Sequence, residues 1–519
     1  MTGCEAKVRL AHSQIKVLHN HGVVKAREAH GFVRDVVGNN IFFYNNSLSV
    51  IQRALTERLY YVKSGGEFAP CPKPSISFST LNVFRNQVLY HLSSPPVWSY
   101  DEFVASYTGS KRRRYETAVT NLTTAGVKPH YGFWKTFIKA EFYDGTIKED
   151  PCPRLIQPRS YEYNVLIGRY LRPLEKEMYK SIDKVFGHHV VLKCDAPWER
   201  AATIKQYWDA IDRCCFVGLD ASRFDQHISA QALQYEHSYY LRAFDNSPEL
   251  MRFLSWQIRN KGYANVPDGA IKYEVEGCRG SGDMNTALGN VILMCAVTHH
   301  YLAGLDVPWR FIDDGDDCGI FISRHHLHLL DGLPQHHLAY GFEMTIEDPA
   351  FELEHVEFCQ SRPVHCGNNR YMMVRNIHKV LKQDALSITS RDYATYEEVM
   401  YATGVCGLAL YEGFPILDAF YRSYLQFGVR QDKVERILQD AFVGPRTWRS
   451  YASHKREFSI DEDETRYSLW KAFGVTPDEQ VLLESELRAQ VYDKANCKLP
   501  NYSESSSRVQ YYIQRGKSK

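Results

Sequence analysis

A mixed α+β fold with at least one antiparallel sheet is the class this sequence predicts, and three observations carry the prediction. The first is a pair of β-prone runs, Trp309-Arg310-Phe311-Ile312 and Cys318-Gly319-Ile320-Phe321-Ile322, on either side of Asp313-Asp314-Gly315-Asp316-Asp317. Apolar runs flanking a tight Gly/Asp turn read as a β-hairpin. The second is Cys215-Phe216-Val217-Gly218-Leu219, a short apolar strand that delivers Asp220 at its C-terminal end, with Asp225 five positions on. The third is a glycine-rich loop, Gly277-Cys278-Arg279-Gly280-Ser281-Gly282, that runs into an apolar helix through Val291 to Val297. With 519 residues, 44% of them hydrophobic, the chain can bury a large core in two to four domains or subdomains.

The other elements follow in order. Residues 66–75 and 94–97 are rich in Gly, Pro or Ser and read as loops. Lys111-Arg112-Arg113-Arg114 opens a helical pattern, as a template-facing or a solvated basic face. Asp461-Glu462-Asp463-Glu464 reads as a solvated loop. Thr476-Pro477-Asp478-Glu479 starts a helix, with Thr as N-cap, Pro at the first position and Glu at the third, and an amphipathic stretch from Val481 to Val491 continues it. The stretch from Asn501 to Lys519 is polar, Ser-rich and expected to be a loose tail.

Global charge excludes little. The 62 basic and 61 acidic residues leave a formal charge of +1, so any nucleic-acid signal is local. The thirteen cysteines lack a C-x-x-C pair, which favours reduced thiols in a cytosolic compartment over a disulfide framework. The N-terminus lacks the apolar core of a secretory signal, and no apolar run approaches the roughly 20 residues that span a bilayer.

Four aspartates in five residues repel one another unless they face solvent or hold a divalent cation. Mg²⁺ takes hard oxygen ligands, often one or two carboxylates plus substrate phosphates. If the Asp220 strand pairs with the hairpin, Asp220 comes against Asp316, and two carboxylate groups on adjacent strands can hold two Mg²⁺ roughly 3.5–4 Å apart for phosphoryl transfer. Thr286 and Asn290 are i,i+4 and share a helix face, where a hydroxyl and an amide can read a sugar hydroxyl. Lys139, Lys148, Arg154 and Arg159, spaced by prolines, suggest a stiff positive lining for triphosphate or template. Each signal read alone suits an ordinary turn, cap or surface loop at least as well.

Together, in this order, they resemble the viral RNA-dependent RNA polymerases, most closely the tombusvirus and carmovirus group within a flavivirus-like supergroup. The resemblance runs from about residue 57 to 485. It rests on Gly218 to His227, the Ser281 to Asn290 loop and helix, Gly315-Asp316-Asp317-Cys318, Pro153 to Arg159, Tyr163-Asn164-Val165 with Gly168-Arg169-Tyr170-Leu171, and Phe358-Cys359-Gln360. It implies a right-hand fold with an antiparallel palm sheet: N-terminal extension and fingers over 1–215, palm over 216–243 and 277–372, a fingers segment over 244–276, and thumb and tail over 373–519. It implies that Asp220 and Asp316 bind Mg²⁺ (or Mn²⁺), with Asp317 beside them and the Ala221 carbonyl as a further ligand. Asp225, Ser281, Thr286 and Asn290 would recognise the ribose 2′-hydroxyl. Lys139 and Arg154, assisted by Arg159, would hold the triphosphate, and Phe358-Cys359-Gln360 would be a primer-grip turn. The implied partners are an RNA template and nascent strand, ribonucleoside triphosphates, and a viral or host membrane-anchoring replication protein that brings a chain without its own transmembrane segment to replication sites in the host cytoplasm.

Two departures from the pattern matter. Gly280 stands where relatives carry a bulkier residue, which predicts a more mobile loop. No lysine lies between Cys318 and Cys366 to act as general acid, whereas His325, His326, His328, His336, His337 and His355 do. Three alternatives carry less weight. An isoprenoid-type synthase would place an Asp-Asp-x-x-Asp cluster on a helix, against the β-prone flanks here. A reverse transcriptase would bar the 2′-hydroxyl, against the Asp225/Asn290 pair. A non-catalytic RNA-binding scaffold would not need Asp220, Asp316 and Asp317.

Overall fold

The computed structural model describes residues 2–31, 41–145, 147–388, 393–429, 434, 437, 456 and 458–489. It is a mixed helix and strand fold built around one antiparallel sheet. The Cys214–Ala221 strand is buried along its length except at Asp220, as a strand covered on both faces should be. It pairs antiparallel with Asp317–Ser323 on one side and Met344–Ile346 on the other, and Trp309–Asp313 completes the sheet beyond Asp317–Ser323. The acidic segment is therefore a hairpin turn, as its flanking residues predict, and not a helix.

Thr286–Leu302 packs on one face of this sheet and is backed by Tyr161–Phe186, while Pro197–Asp209 packs on the other face. Thr286–Leu302 is apolar all round and buried almost throughout, the signature of a helix inside the core. Tyr161–Phe186 starts at Ser160, whose Oγ accepts the Tyr163 N–H at 3.1 Å, and stops at Gly187 in the left-handed region. Leu166, Val217, Leu219, Val291, Cys295 and Ile320 meet in the largest core cluster. A second four-stranded sheet runs in the order Ile15–His19, Gly269–Glu276, Arg259–Val266, Trp134–Lys135 and packs against the helix Leu48–Leu55 through Trp134, Ile271 and Tyr273. A third cluster joins the hairpin Ser361–His365/Tyr371–Arg375 to helices Tyr393–Tyr411, Leu417–Ser423, Glu462–Phe473 and Pro477–Arg488.

Local expectations meet mixed outcomes. Thr476 and Glu479 form the expected capping box with Pro477 at the first turn, and the expected amphipathic stretch continues the helix to Arg488; residues 490–491 and the tail from Asn501 lie outside the described residues. Residues 66–75 are not all loop. Glu67–Pro70 pairs with Tyr61–Ser64, because Gly65 and Gly66, at φ 59° and 90°, supply the two left-handed positions of a tight hairpin turn. The Asp461 run is not a loop either. Asp461 caps the helix Glu462–Phe473 by accepting the Glu464 N–H at 3.0 Å, and acids in a first helical turn suit the helix dipole. Gly280 does not loosen its loop. A Cβ there would stand 2.5 Å from Trp134 Nε1 and 3.0 Å from the Gln157 carbonyl, so the glycine serves a close approach. No helix among the described residues is long and apolar enough to cross a membrane.

Candidate active site

The hairpin turn sorts its four aspartates into three environments. Asp314 N–H donates to the Asp317 carbonyl at 2.8 Å, and Gly315 takes φ 104° at the first central position of the turn. Asp313, ahead of the turn, is fully buried. Burial raises its carboxyl well above the ordinary range, despite the Gly315 N–H at 3.1 Å, and nearby Asp314 and Asp316 add to the rise. Asp314 is gripped by cations, with Lys193 Nζ at 2.5 Å and Arg200 Nη2 at 2.7 Å, and Cys359 Sγ approaches it at 3.4 Å.

Asp316 and Asp317 face outward and make no ion pair among the described residues. The strand register sets Asp220 opposite Asp317, not Asp316 as the sequence suggests. Asp316 stands one residue further, at the apex, because the strand resumes at Asp317. Ala221 ends the central strand opposite Met344. Asp317 exposes side-chain surface to water yet is crowded by protein. That crowding, then Asp316, Asp314 and Asp220, pushes its carboxyl up to about 6. Clustered acids without a counter-ion, all hard oxygen donors, fit a divalent cation. Among the described residues no group of three or more His, Cys, Asp or Glu side chains is placed to hold a metal ion by itself.

Beside this patch lies a tight polar group. Ser281 Oγ donates to Asp225 Oδ2 at 2.5 Å, and Asn290 Nδ2 donates to Asp225 Oδ1 at 3.1 Å. Burial raises the Asp225 carboxyl while these two hydrogen bonds oppose the rise. Thr286 Oγ1 spends its proton on the Gly280 carbonyl at 2.9 Å, so it holds the loop closed.

Two cavities meet here. A cleft of about 880 Å³ is lined by Lys111, Lys193, Arg200, Asn290, Asp316 and Gln360, among others. A smaller one of about 90 Å³ is lined by Arg58, Arg154, Arg223, Asp225, Ser281 and Asp316. Asp316 borders both.

The basic residues expected from the sequence divide. Arg154 reaches the small cavity, half exposed and 3.4 Å from Glu141. Lys139 pairs with Glu141 at 3.0 Å and is not among the residues lining either cavity. Arg159 is a correction: its side chain is fully buried, with Nε 2.7 Å from Asp283 and Nη2 2.5 Å from Asn260. It fastens the glycine-rich loop from behind and is not presented to a ligand.

The histidines expected to supply an acid also lie elsewhere. His336 and His337 bond Val297, Thr298 and Leu333, His355 bonds the Lys471 carbonyl, and none of the six lines either cavity. Sequence reasoning missed Arg58, Arg223, Lys193 and Arg200. Arg223 lies inside the Ala221-Ser222-Arg223-Phe224-Asp225 phrase and was within reach. The others come from distant elements with no local signal.

Phe358-Cys359-Gln360 forms a tight turn closed by hydrogen bonds between Phe358 and Ser361. Cys359 and Gln360 sit at φ 51° and 57°, a strained region for side chains without turn chemistry. Their contacts with Asp314 and Lys379 hold them there.

A sheet ending in paired acids, a small polar cavity and the arginines that line it make up the candidate site. The family model for viral RNA-dependent RNA polymerases matches residues 16–492, and the chain belongs to that family. It is 40% identical over 448 residues to the RNA-directed RNA polymerase of Cymbidium ringspot virus, 39% over 448 residues to that of Tomato bushy stunt virus (strain Cherry), and 37% over 455 residues to that of Tobacco necrosis virus (strain D). These alignments cover 86%, 86% and 85% of this chain and 54%, 54% and 62% of the relatives. The chain thus spans about half the length of the first curated relatives it matches.

Proposed function

We propose that this chain synthesises RNA on an RNA template by nucleotidyl transfer. The observation that carries the reading is the position of Asp316, on the border between an arginine-lined pocket and a long cleft. In this reading a ribonucleoside triphosphate occupies the small cavity, and template with nascent strand occupies the large one. Arg58, Arg154 and Arg223 neutralise the triphosphate. The three guanidiniums crowd one another enough that Arg223 and Arg154 add to the burial that lowers the Arg58 pKa, so a polyanion is the natural occupant. Asp225, Ser281 and Asn290 orient the ribose.

Asp220, Asp316 and Asp317, with the Ala221 carbonyl, would hold Mg²⁺ or Mn²⁺. When bound, these cations supply Lewis acidity that activates the 3′-hydroxyl and offsets charge as pyrophosphate leaves. Lys193 and Arg200 hold the turn through Asp314 and keep the acids in place. The strand Cys214–Ala221 and its partners would be the palm, the segments before and between its parts the fingers, and residues from 373 onward the thumb. A membrane-anchoring partner that carries the chain to replication sites in the host cytoplasm belongs to the same proposal.

The test is incorporation of labelled ribonucleotides on a short RNA template by purified protein with Mg²⁺ or Mn²⁺. Template-length product is expected. RNA binding without product under either metal would contradict the reading.

A further inference from the structure

In the wall of the Asp225 pocket, Arg279 belongs to an ion pair whose side chains are closed to solvent. Arg279 and Glu236 side chains are both 0% exposed. Arg279 Nη1 donates to Glu236 Oε1 at 3.1 Å, and Nη2 reaches Oε2. Tyr240 OH and Asn285 Nδ2 also donate to Glu236, each at 2.7 Å. The carboxylate is therefore well satisfied and stays charged, its pKa lowered by Arg279 against the opposing effect of burial. A Cβ at Gly289 would run into Glu236 Oε1 and Arg279 Nη2, so the Thr286–Leu302 helix lies directly on the pair.

The third edge of the guanidinium does something else. Arg279 Nε donates to Asn290 Oδ1 at 3.2 Å, while Asn290 Nδ2 donates to Asp225 at the far end of the same amide. A guanidinium is donor-only. The Asn290 atom facing it must therefore be the carbonyl oxygen, which settles an amide orientation that is ordinarily ambiguous.

Resting on the polymerase reading above, we propose that Arg279, held by Glu236, is a positioning residue for sugar selection. It locks the Asn290 amide so that only its N–H₂ group is offered to Asp225 and to the ribose. One N–H goes to Asp225, and the other is left for the oxygen of a 2′-hydroxyl, whose own proton Asp225 can accept. A 2′-deoxy sugar leaves both groups unmatched, which costs discrimination where polar groups are buried. Asp225, which accepts from both Ser281 and Asn290, favours the same orientation from one end of the amide, and Arg279 pins the other end.

The experiment is the ratio of kcat/KM for a ribonucleoside triphosphate to that for its 2′-deoxy analogue, with Arg279→Lys beside the wild type. Lysine keeps the charge beside Glu236 but lacks the fork that reaches Asn290 as well. The expected result is ribonucleotide incorporation within a few-fold of wild type and a sugar discrimination reduced by about tenfold or more, the scale of one lost hydrogen bond. Because a lone ammonium in this site can unfold the protein, the double variant Arg279→Met/Glu236→Leu, which removes both charges, gives a second measure with the same expected loss. Wild-type discrimination in a folded variant of either kind would overturn the inference. A wild type that incorporates neither sugar would instead refute the polymerase reading, and this inference with it.

Discussion

Replacing Asp314 by Asn tests whether the hairpin turn is held by charge. Asp314 is 12% exposed and bridges Lys193, 30% exposed, and Arg200, 11% exposed. Removing one partner of a buried pair costs about 3–5 kcal/mol, whereas exposed pairs are worth about 1 kcal/mol at most. This half-open site lies between those limits, and a loss of about 2 kcal/mol is expected. At roughly 2–4 °C per kcal/mol for a large domain, Tm should fall by about 4–8 °C. Activity should fall further. The turn carries Asp316, and small misplacements of a catalytic group cost on the order of a hundredfold. The assay is a melting curve paired with template-directed RNA synthesis on Asp314→Asn, with Lys193→Gln as a milder companion that leaves Arg200 in place. An Asp314→Asn variant with wild-type Tm and wild-type rate would refute the argument that the cationic grip positions the turn.

Three other outcomes follow from the site and its frame. Asp317 is raised to about 6 from 3.8, so without metal its contribution to stability falls as pH rises through that window. A cation that binds the carboxylate reverses this, so the rise in Tm on adding Mn²⁺ should be larger above pH 6 than below it, and equal rises would contradict the metal assignment. Arg154→Ala should raise KM for the nucleotide roughly tenfold, as loss of a charged hydrogen bond of about 1.5 kcal/mol implies. Lys139→Ala, outside the pocket, should change it little, and equal effects would refute the pocket's boundaries.

His189 lies between Asp183 at 2.6 Å and Asp195 at 2.7 Å. These bonds, against burial, raise its pKa from 6.5 to about 10. Its stabilisation is full below pH 6.5 and is lost as pH rises through 10, so wild-type Tm should decline over that range more steeply than that of His189→Gln. Parallel declines would show that the pair is not charged.

The parts of this fold that short-range rules govern were legible in the sequence. The Gly315 turn between two β-prone runs, the Thr476 capping box and the all-apolar helix after the glycine-rich loop each follow from patterns within a dozen residues. The cluster of Asp225, Ser281 and Asn290 was legible only through the family resemblance, which stood in for long-range geometry. Register was less legible. An antiparallel pairing shifted by one residue exchanges Asp316 for Asp317 opposite Asp220, and residue types alone do not set that shift.

Burial was the other blind spot. Arg159 looks like its neighbour Arg154 in the sequence, yet one is locked against Asp283 and the other lines a cavity. Lys193, Arg200 and Arg58 reach the site from remote helices and turns, and no local spacing announces them. Gly280 misled because a glycine permits either motion or close packing, and only the position of Trp134 decides between them.

The measurement that tests the account most directly is RNA synthesis by Asp316→Ala beside the wild type, on one template, with RNA binding measured in parallel. The account predicts template-length product that requires Mg²⁺ or Mn²⁺ in the wild type, none in the variant, and equal RNA binding by both. Product from Asp316→Ala at a rate near wild type would contradict it, because no other group borders both the arginine-lined pocket and the long cleft as an exposed acid among the described residues.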